Sequence, residues 1–167
     1  MTESARLSPE EAAAVLERSR PIPTLRGTSP VEAVDLEGEG LDGFHVNRPL
    51  GTAALLLLFL SADCVGCDEL FDAAATPPLL GIDNGDVLIV VREGDGIVER
   101  SLGAEVLISP SAFSDYRVQG TPFFSLVVPG RTTVATEGVA WGASGVKDAV
   151  ERALHGDFRV DVPRLEG

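Results

Sequence analysis

Two cysteines, Cys64 and Cys67, are the only ones in this 167-residue chain, and they stand three positions apart. Such a pair suits thiol–disulfide exchange, half of a metal site, or a structural bridge. They lie in "LLLLFLSADCVGCDELF" (55–71), where an apolar run meets a polar corner and helix-forming residues follow. A strand-to-helix junction favours exchange. At a helix start, unpaired backbone amides and the helix dipole stabilise a thiolate. A second sulfur one turn deeper can then resolve the mixed disulfide that forms first. Cys64 is on this reading the nucleophile and Cys67 the resolving residue. The flanking carboxylates Asp63 and Asp68 oppose thiolate formation. They set the expected Cys64 pKa at roughly 7, well above the ~3.5 of strongly oxidising proteins.

The other two chemistries fit less well. Zinc needs about four ligands. The only histidines, His45 and His155, have no finger-like spacing to the cysteines and read as a loop residue and a helix C-terminal residue. No metal and no cofactor beyond the redox disulfide is expected. A staple closing so short a loop would gain little from loop closure.

Composition narrows the setting. Thirteen Lys and Arg stand against 26 Asp and Glu, a net charge of -13, which opposes nucleic-acid and anionic-lipid surfaces. With 44% hydrophobic and 23% charged residues, a buried core is expected. The start "MTESARLSPEEAAAVLERSR" lacks the pattern of a secretory signal, and the longest apolar run, 53–60, falls far short of the ~20 residues of a membrane span. The expected location is therefore cytoplasmic, where ordinary thiols stay reduced.

The elements that must position the cysteines follow from periodicity and punctuation. Ser8-Pro9-Glu10-Glu11 opens an N-terminal helix with a capping box. "PVEAVDLEGEG" reads as an edge strand or hairpin. Residues 52–60 form a strand buried on both faces, and 65–75 a helix stopped by Pro77 and Pro78. Strands are expected at 86–92, 104–109 and 122–128, with one or two helical turns in "PSAFSDYRV". "PGR" turns the last of these strands into a hairpin with "TTVATEGV". Residues 143–155 are an amphipathic helix with Val146, Ala149, Val150 and Leu154 on one face, capped by Gly156. The class is α/β, a sandwich around a mixed sheet.

Downstream of the cysteines, "YRVQGTPFFSLVV" places Gly-Thr-Pro directly before a buried strand, where a cis X–Pro bond fits. Together with the cysteine pair, this arrangement resembles the thioredoxin fold, closest to the TlpA-like and MauD-like thiol–disulfide oxidoreductases of the redoxin branch. The resemblance spans residues 31–154. It implies a thioredoxin-like three-layer sandwich with a central mixed β-sheet flanked by helices over 30–157. A helical extension at 1–29 and a tail at 158–167 flank it. It also implies Cys64 and Cys67 as the redox pair, Pro122 as the proline packed beside them, Thr121 as the residue whose backbone pairs with substrate, and Gly138 as a groove glycine. A protein or peptide disulfide is the implied substrate, with a separate electron donor, no nucleic acid and no membrane span.

The chain departs from thioredoxins proper. Their Trp-Cys-Gly-Pro-Cys becomes Asp63-Cys64-Val65-Gly66-Cys67; their buried Asp six positions before the first cysteine is Leu58; their helix-kinking proline is Asp72. Asp63, Asp68 and Glu69 read as surface carboxylates at a helix start. Trp141 reads as a packed residue or, alternatively, an aromatic lip beside the cysteines, Arg117 as an exposed helix-end residue or a substrate contact, and Phe59, Phe71, Phe113, Phe123 and Phe124 as core. The leading function is disulfide reduction. A redoxin-type thiol peroxidase and a non-catalytic partner-binding or maturation factor are the alternatives. Leu57 in place of a peroxidase proline argues against the first, and the acidic flank of the motif leaves room for the second.

Overall fold

The computed structural model describes residues 30–155 apart from 52, 83, 84 and 102. The helix expected from Ser8, the 1–29 extension, the Gly156 cap and the 158–167 tail lie outside the described residues. Among the described residues there are seven strands: β1 (Leu36–Glu39), β2 (His45–Arg48), β3 (Ala54–Phe59), β4 (Gly85–Val91), β5 (Glu105–Ile108), β6 (Phe123–Val127) and β7 (Thr136–Val139). The helices are α1 (Cys67–Ala74), α2 (Val98–Ser101), α3 (Pro110–Asp115) and α4 (Ala143–Leu154), with a 3-10 turn at Pro77–Leu80.

All seven strands join one sheet in the order β2-β1-β5-β4-β3-β6-β7. β3, β4 and β5 run parallel, while β6 is antiparallel to β3 and to β7. β3 organises the molecule because every one of its six residues is buried. Side chains alternate across a strand. Leu56, Leu58 and Leu60 therefore pack with Cys67, Leu70 and Phe71 of α1 and Val146 and Val150 of α4. Leu55, Leu57 and Phe59 pack with Phe113 of α3 and with Tyr116 on the opposite face. Each such leucine removed from water contributes about 2 kcal/mol, and a one-residue slip would exchange the two sets. The result is three layers, with α1 and α4 on one side and α3 on the other, in an α/β mixed-sheet sandwich. All five core phenylalanines expected above are buried.

Several elements differ from expectation. "PVEAVDLEGEG" supplies β1, which sits inside the sheet between β2 and β5, so His45 lies on the edge strand β2 rather than in a loop. There His45 Nε2 meets the Glu37 carboxylate at 3.2 Å. "TTVATEGV" does not form one continuous hairpin arm. Its first half turns away: Ala33 N donates to Thr132 O, Val134 N donates to Val31 O, and only from Ala135 onward does the chain bond to β6. The segment before β1 competes successfully for those backbone groups. On α4 the buried residues are Val146, Val150 and Ala153, while Leu154 is exposed. Positions i, i+4 and i+7 centre the stripe, and i+8 falls at its edge.

α3 ends in a Schellman-type cap. Val118 N donates to Phe113 O at 2.8 Å while Arg117 takes a left-handed φ of 57°, where glycine is usual. Beside it, the Tyr116 hydroxyl donates to Val34 O at 2.6 Å and accepts from Val34 N at 3.0 Å, pinning the segment before β1 to the core. Burial pushes this phenol up from 10.0 to about 12. A raised phenol stabilises the fold fully below the unfolded value near 10, and that contribution is lost as pH rises through about 12. Tyr116 is the only tyrosine, so an ultraviolet absorbance titration reads it directly. A midpoint at the ordinary value of 10.0 would refute the buried, doubly bonded hydroxyl. Tyr116→Phe is expected to cost about 1–2 kcal/mol near neutrality and to lessen the alkaline loss of stability.

Candidate active site

The parallel strands β3, β4 and β5 all end at one edge of the sheet, and β6 begins there opposite Phe59. From β3 the chain passes to β4 on one side and later returns to β6 on the other. Crevices form where strand order reverses in this way. Leaving β3, it makes the polar corner Ser61-Ala62-Asp63 and then the cysteine turn. Gly66 adopts φ 93°, a left-handed conformation outside the helix, so α1 starts at Cys67 and not at residue 65 as expected. Cys67 N donates to Cys64 O at 3.3 Å and closes the turn.

The two cysteines form a disulfide with Sγ–Sγ 2.02 Å and Cα–Cα 5.5 Å. Cys64 is partly exposed and Cys67 is fully buried in the cluster beneath α1. Across from them stands Pro122. A Cβ added to Gly66 would lie 4.0 Å from Pro122 Cγ, so the proline packs against the turn between the two sulfurs. The Thr121–Pro122 peptide bond is cis.

Thr121 joins the corner through its side chain. Ser61 Oγ donates to Asp63 Oδ1 at 3.1 Å, and Ser61 Oγ and Thr121 Oγ1 are 3.2 Å apart. A serine has one proton to give, so Thr121 is the donor in the second bond and the chain runs Thr121 to Ser61 to Asp63. The structure thus brings Cys64, Cys67, Thr121 and Pro122 together and adds Ser61. Gly138 lies elsewhere along β7, opposite Phe124. The residue bonded to the proline is Ala140, whose N donates to Pro122 O at 3.1 Å.

The acidic residues around the motif have distinct tasks. Asp68 pairs with Arg100 of α2. Glu69 Oε2 accepts from Ala143 N at 3.0 Å, capping α4, whose own cap residue, Gly142, has no side chain to do so. Glu69→Ala is expected to lose about 1 kcal/mol, while Glu69→Gln retains an acceptor and loses less; equal losses in urea unfolding would contradict the cap. Leu58, where the resemblance placed a buried aspartate, is 0% exposed among apolar neighbours.

Beside Thr121 opens a cleft of about 430 Å³, lined among others by Ser61, Asp63, Glu93, Asp95 and Arg92. Its cation is engaged within the protein: the Arg92 guanidinium lies 4.1 Å from the Phe113 ring centroid, and Nη2 donates to Val118 O. Trp141, outside that lining, is 60% exposed, so of its two expected readings the packed one fails. It stands in the connection between β7 and α4, beyond the reach of either core cluster.

The architecture matches solved structures. A thiol:disulfide interchange protein of the thioredoxin family from Chlorobium tepidum superposes with a TM-score of 0.57 at 14% identity, covering 78% of this chain and 98% of that one. The chain has a thioredoxin fold. StoA from Bacillus subtilis shares that fold at 16% identity and a TM-score of 0.55, covering 73% of this chain and 100% of its own. So does the pneumococcal exposed lipoprotein thioredoxin from Streptococcus pneumoniae, at 19% identity and 0.52, covering 74% and 99%. No protein-family model and no curated protein matches the chain. Among the described residues no helix is long and apolar enough to cross a membrane.

Proposed function

We propose that the protein is a thiol–disulfide oxidoreductase that reduces protein or peptide disulfides through Cys64 and Cys67. One observation carries the reading: of two bonded sulfurs at a strand-to-helix turn, one is reachable from solvent and the other is not. The Cys64 thiolate attacks a substrate disulfide, forming a mixed disulfide and releasing one substrate thiolate, which takes up a proton. Cys67, deprotonated, then attacks Cys64 Sγ. The Cys64–Cys67 disulfide forms, the second substrate sulfur leaves as a thiol, and two electrons have passed to substrate. An external dithiol of unassigned identity restores the pair. The electrons reside in the two sulfurs, so the reaction needs no bound cofactor.

Thr121 and Pro122 border the turn, and their backbone is assigned to pairing with an extended substrate chain. The reducing direction and a cytoplasmic location stand together, because that compartment keeps thiols reduced. Equilibration of the couple with glutathione or dithiothreitol tests the direction. A potential near about -270 mV fits a reductase, and one near about -120 mV would make the protein an oxidant.

A further inference from the structure

The segment 140–143 is tied down at both ends, and what it carries is a tryptophan. At one end Ala140 N donates to Pro122 O at 3.1 Å. At the other Ala143 N donates to Glu69 Oε2 at 3.0 Å, and Glu69 lies in the first turn of α1, two residues after Cys67. Gly142 lies against the same carboxylate, 3.4 Å from Oε1 to a Cβ built on it. The short strap therefore runs from the proline to the start of the cysteine helix. The backbone of Trp141 is thus held between Pro122 and the first turn of α1, and the lining of the acidic cleft does not include it.

Its place matters more than its amount of exposure, since Phe44 and Val98 are also open. Val65, between the two cysteines, is 95% exposed, and Trp141 is 60% exposed. A tryptophan and a valine left this open cost hydration free energy that a bound apolar group would recover. Tryptophan is also the residue most suited to anchoring a partner, with a large apolar face and few rotatable bonds. The cleft beside Thr121 is carboxylate-rich, with Asp63, Glu93 and Asp95. Outside that lining, Val65 of the cysteine turn and Trp141 of the strap offer exposed apolar surface.

We infer that Trp141, with Val65, is a specificity-determining contact: it receives a bulky apolar side chain adjacent to the cysteine of an extended polypeptide substrate. The inference rests on the exchange reading of Cys64 and Cys67 and adds to it which disulfides are preferred. An apolar side chain is the occupant that the two exposed residues favour; a cationic one would be drawn to the acidic cleft instead.

The test uses the full chain and one peptide disulfide made in two versions, with leucine or serine flanking the cysteine. Wild type is expected to reduce the leucine version about tenfold faster in kcat/KM, the scale of one buried apolar side chain. Trp141→Ala should erase that preference, Trp141→Phe should keep most of it, and neither should alter exchange with hydroxyethyl disulfide, which has no side chain to place. A second readout needs no chemistry. Trp141 is the only tryptophan, so a leucine peptide with serine in place of cysteine, added to oxidised protein, should shift its emission to shorter wavelength as water leaves the indole. Equal rates for the two peptides, or a preference that survives Trp141→Ala, overturns the contact while leaving the exchange reading intact. No exchange with any disulfide overturns the exchange reading; the emission shift then decides the contact alone, its absence ending that too.

Discussion

Cys64→Ser eliminates reduction of insulin disulfides, a loss on the order of 10³-fold or more, and leaves the fold in place. The partly exposed sulfur is the one a substrate disulfide can approach. A serine hydroxyl at neutral pH offers no comparable nucleophile. Cys67→Ser behaves differently. Cys67 is 0% exposed at the first residue of α1, so no substrate chain reaches it directly. Its accessible partner is Cys64, and without it the mixed disulfide on Cys64 has nothing nearby to resolve it. Insulin or peptide should accumulate covalently on Cys64 and appear as an adduct by mass spectrometry, released by dithiothreitol. Turnover in Cys64→Ser comparable to wild type, or adducts forming on Cys67 instead, would reverse the assignment or end it. In the reduced protein, iodoacetamide should modify Cys64 far ahead of Cys67 for the same reason of access.

The second large effect concerns Leu58. It faces the same cluster as Cys67 and Phe71 and is 0% exposed. Leu58→Asp would place a carboxylate under the buried sulfur, where the resemblance to thioredoxins proper puts one, but in a site built for leucine. An uncompensated charge there costs about 4 kcal/mol at neutral pH. Burial raises a carboxyl above its unfolded value, so the neutral form is the tolerated one. Its stability is fullest below the unfolded value near about 3.9 and falls as pH rises through the raised folded value. Relative to Leu58→Asn, Leu58→Asp should therefore lose ground between about pH 4 and pH 7. Urea unfolding at both pH values checks this. An aspartate as stable as leucine at pH 7 would mean that a polar partner reaches the site, and the apolar description of that layer would fail. The leucine also bears on mechanism: among the described residues, the position where thioredoxins proper carry a proton-accepting aspartate offers Cys67 only an apolar side chain.

Much of this was written in the sequence by itself. The uninterrupted apolar run of β3 could satisfy its side chains only between two covered faces, and the polar corner with two cysteines after it could only be a junction. The helical turns expected in "PSAFSDYRV" are α3, where the Ser109 side chain accepts from Ala112 N and proline takes the first turn. These signals are local: each needs only a few neighbouring residues and the chain's own hydrogen-bonding requirements. The tertiary structure decided what depends on distant partners. Gly66 is permissive in sequence, and its left-handed turn against Pro122 is what moves the helix start to Cys67. "TTVA" has strand character for any partner, and the segment before β1, about 100 residues away, claimed it. Glu69 looked like a helix-start carboxylate until α4 arrived needing a cap. Sequence left Trp141 between packing and an aromatic lip; its exposure follows from two hydrogen bonds that hold its backbone between the proline and α1, a constraint to which residues 122, 69 and 141 contribute from three separate parts of the chain.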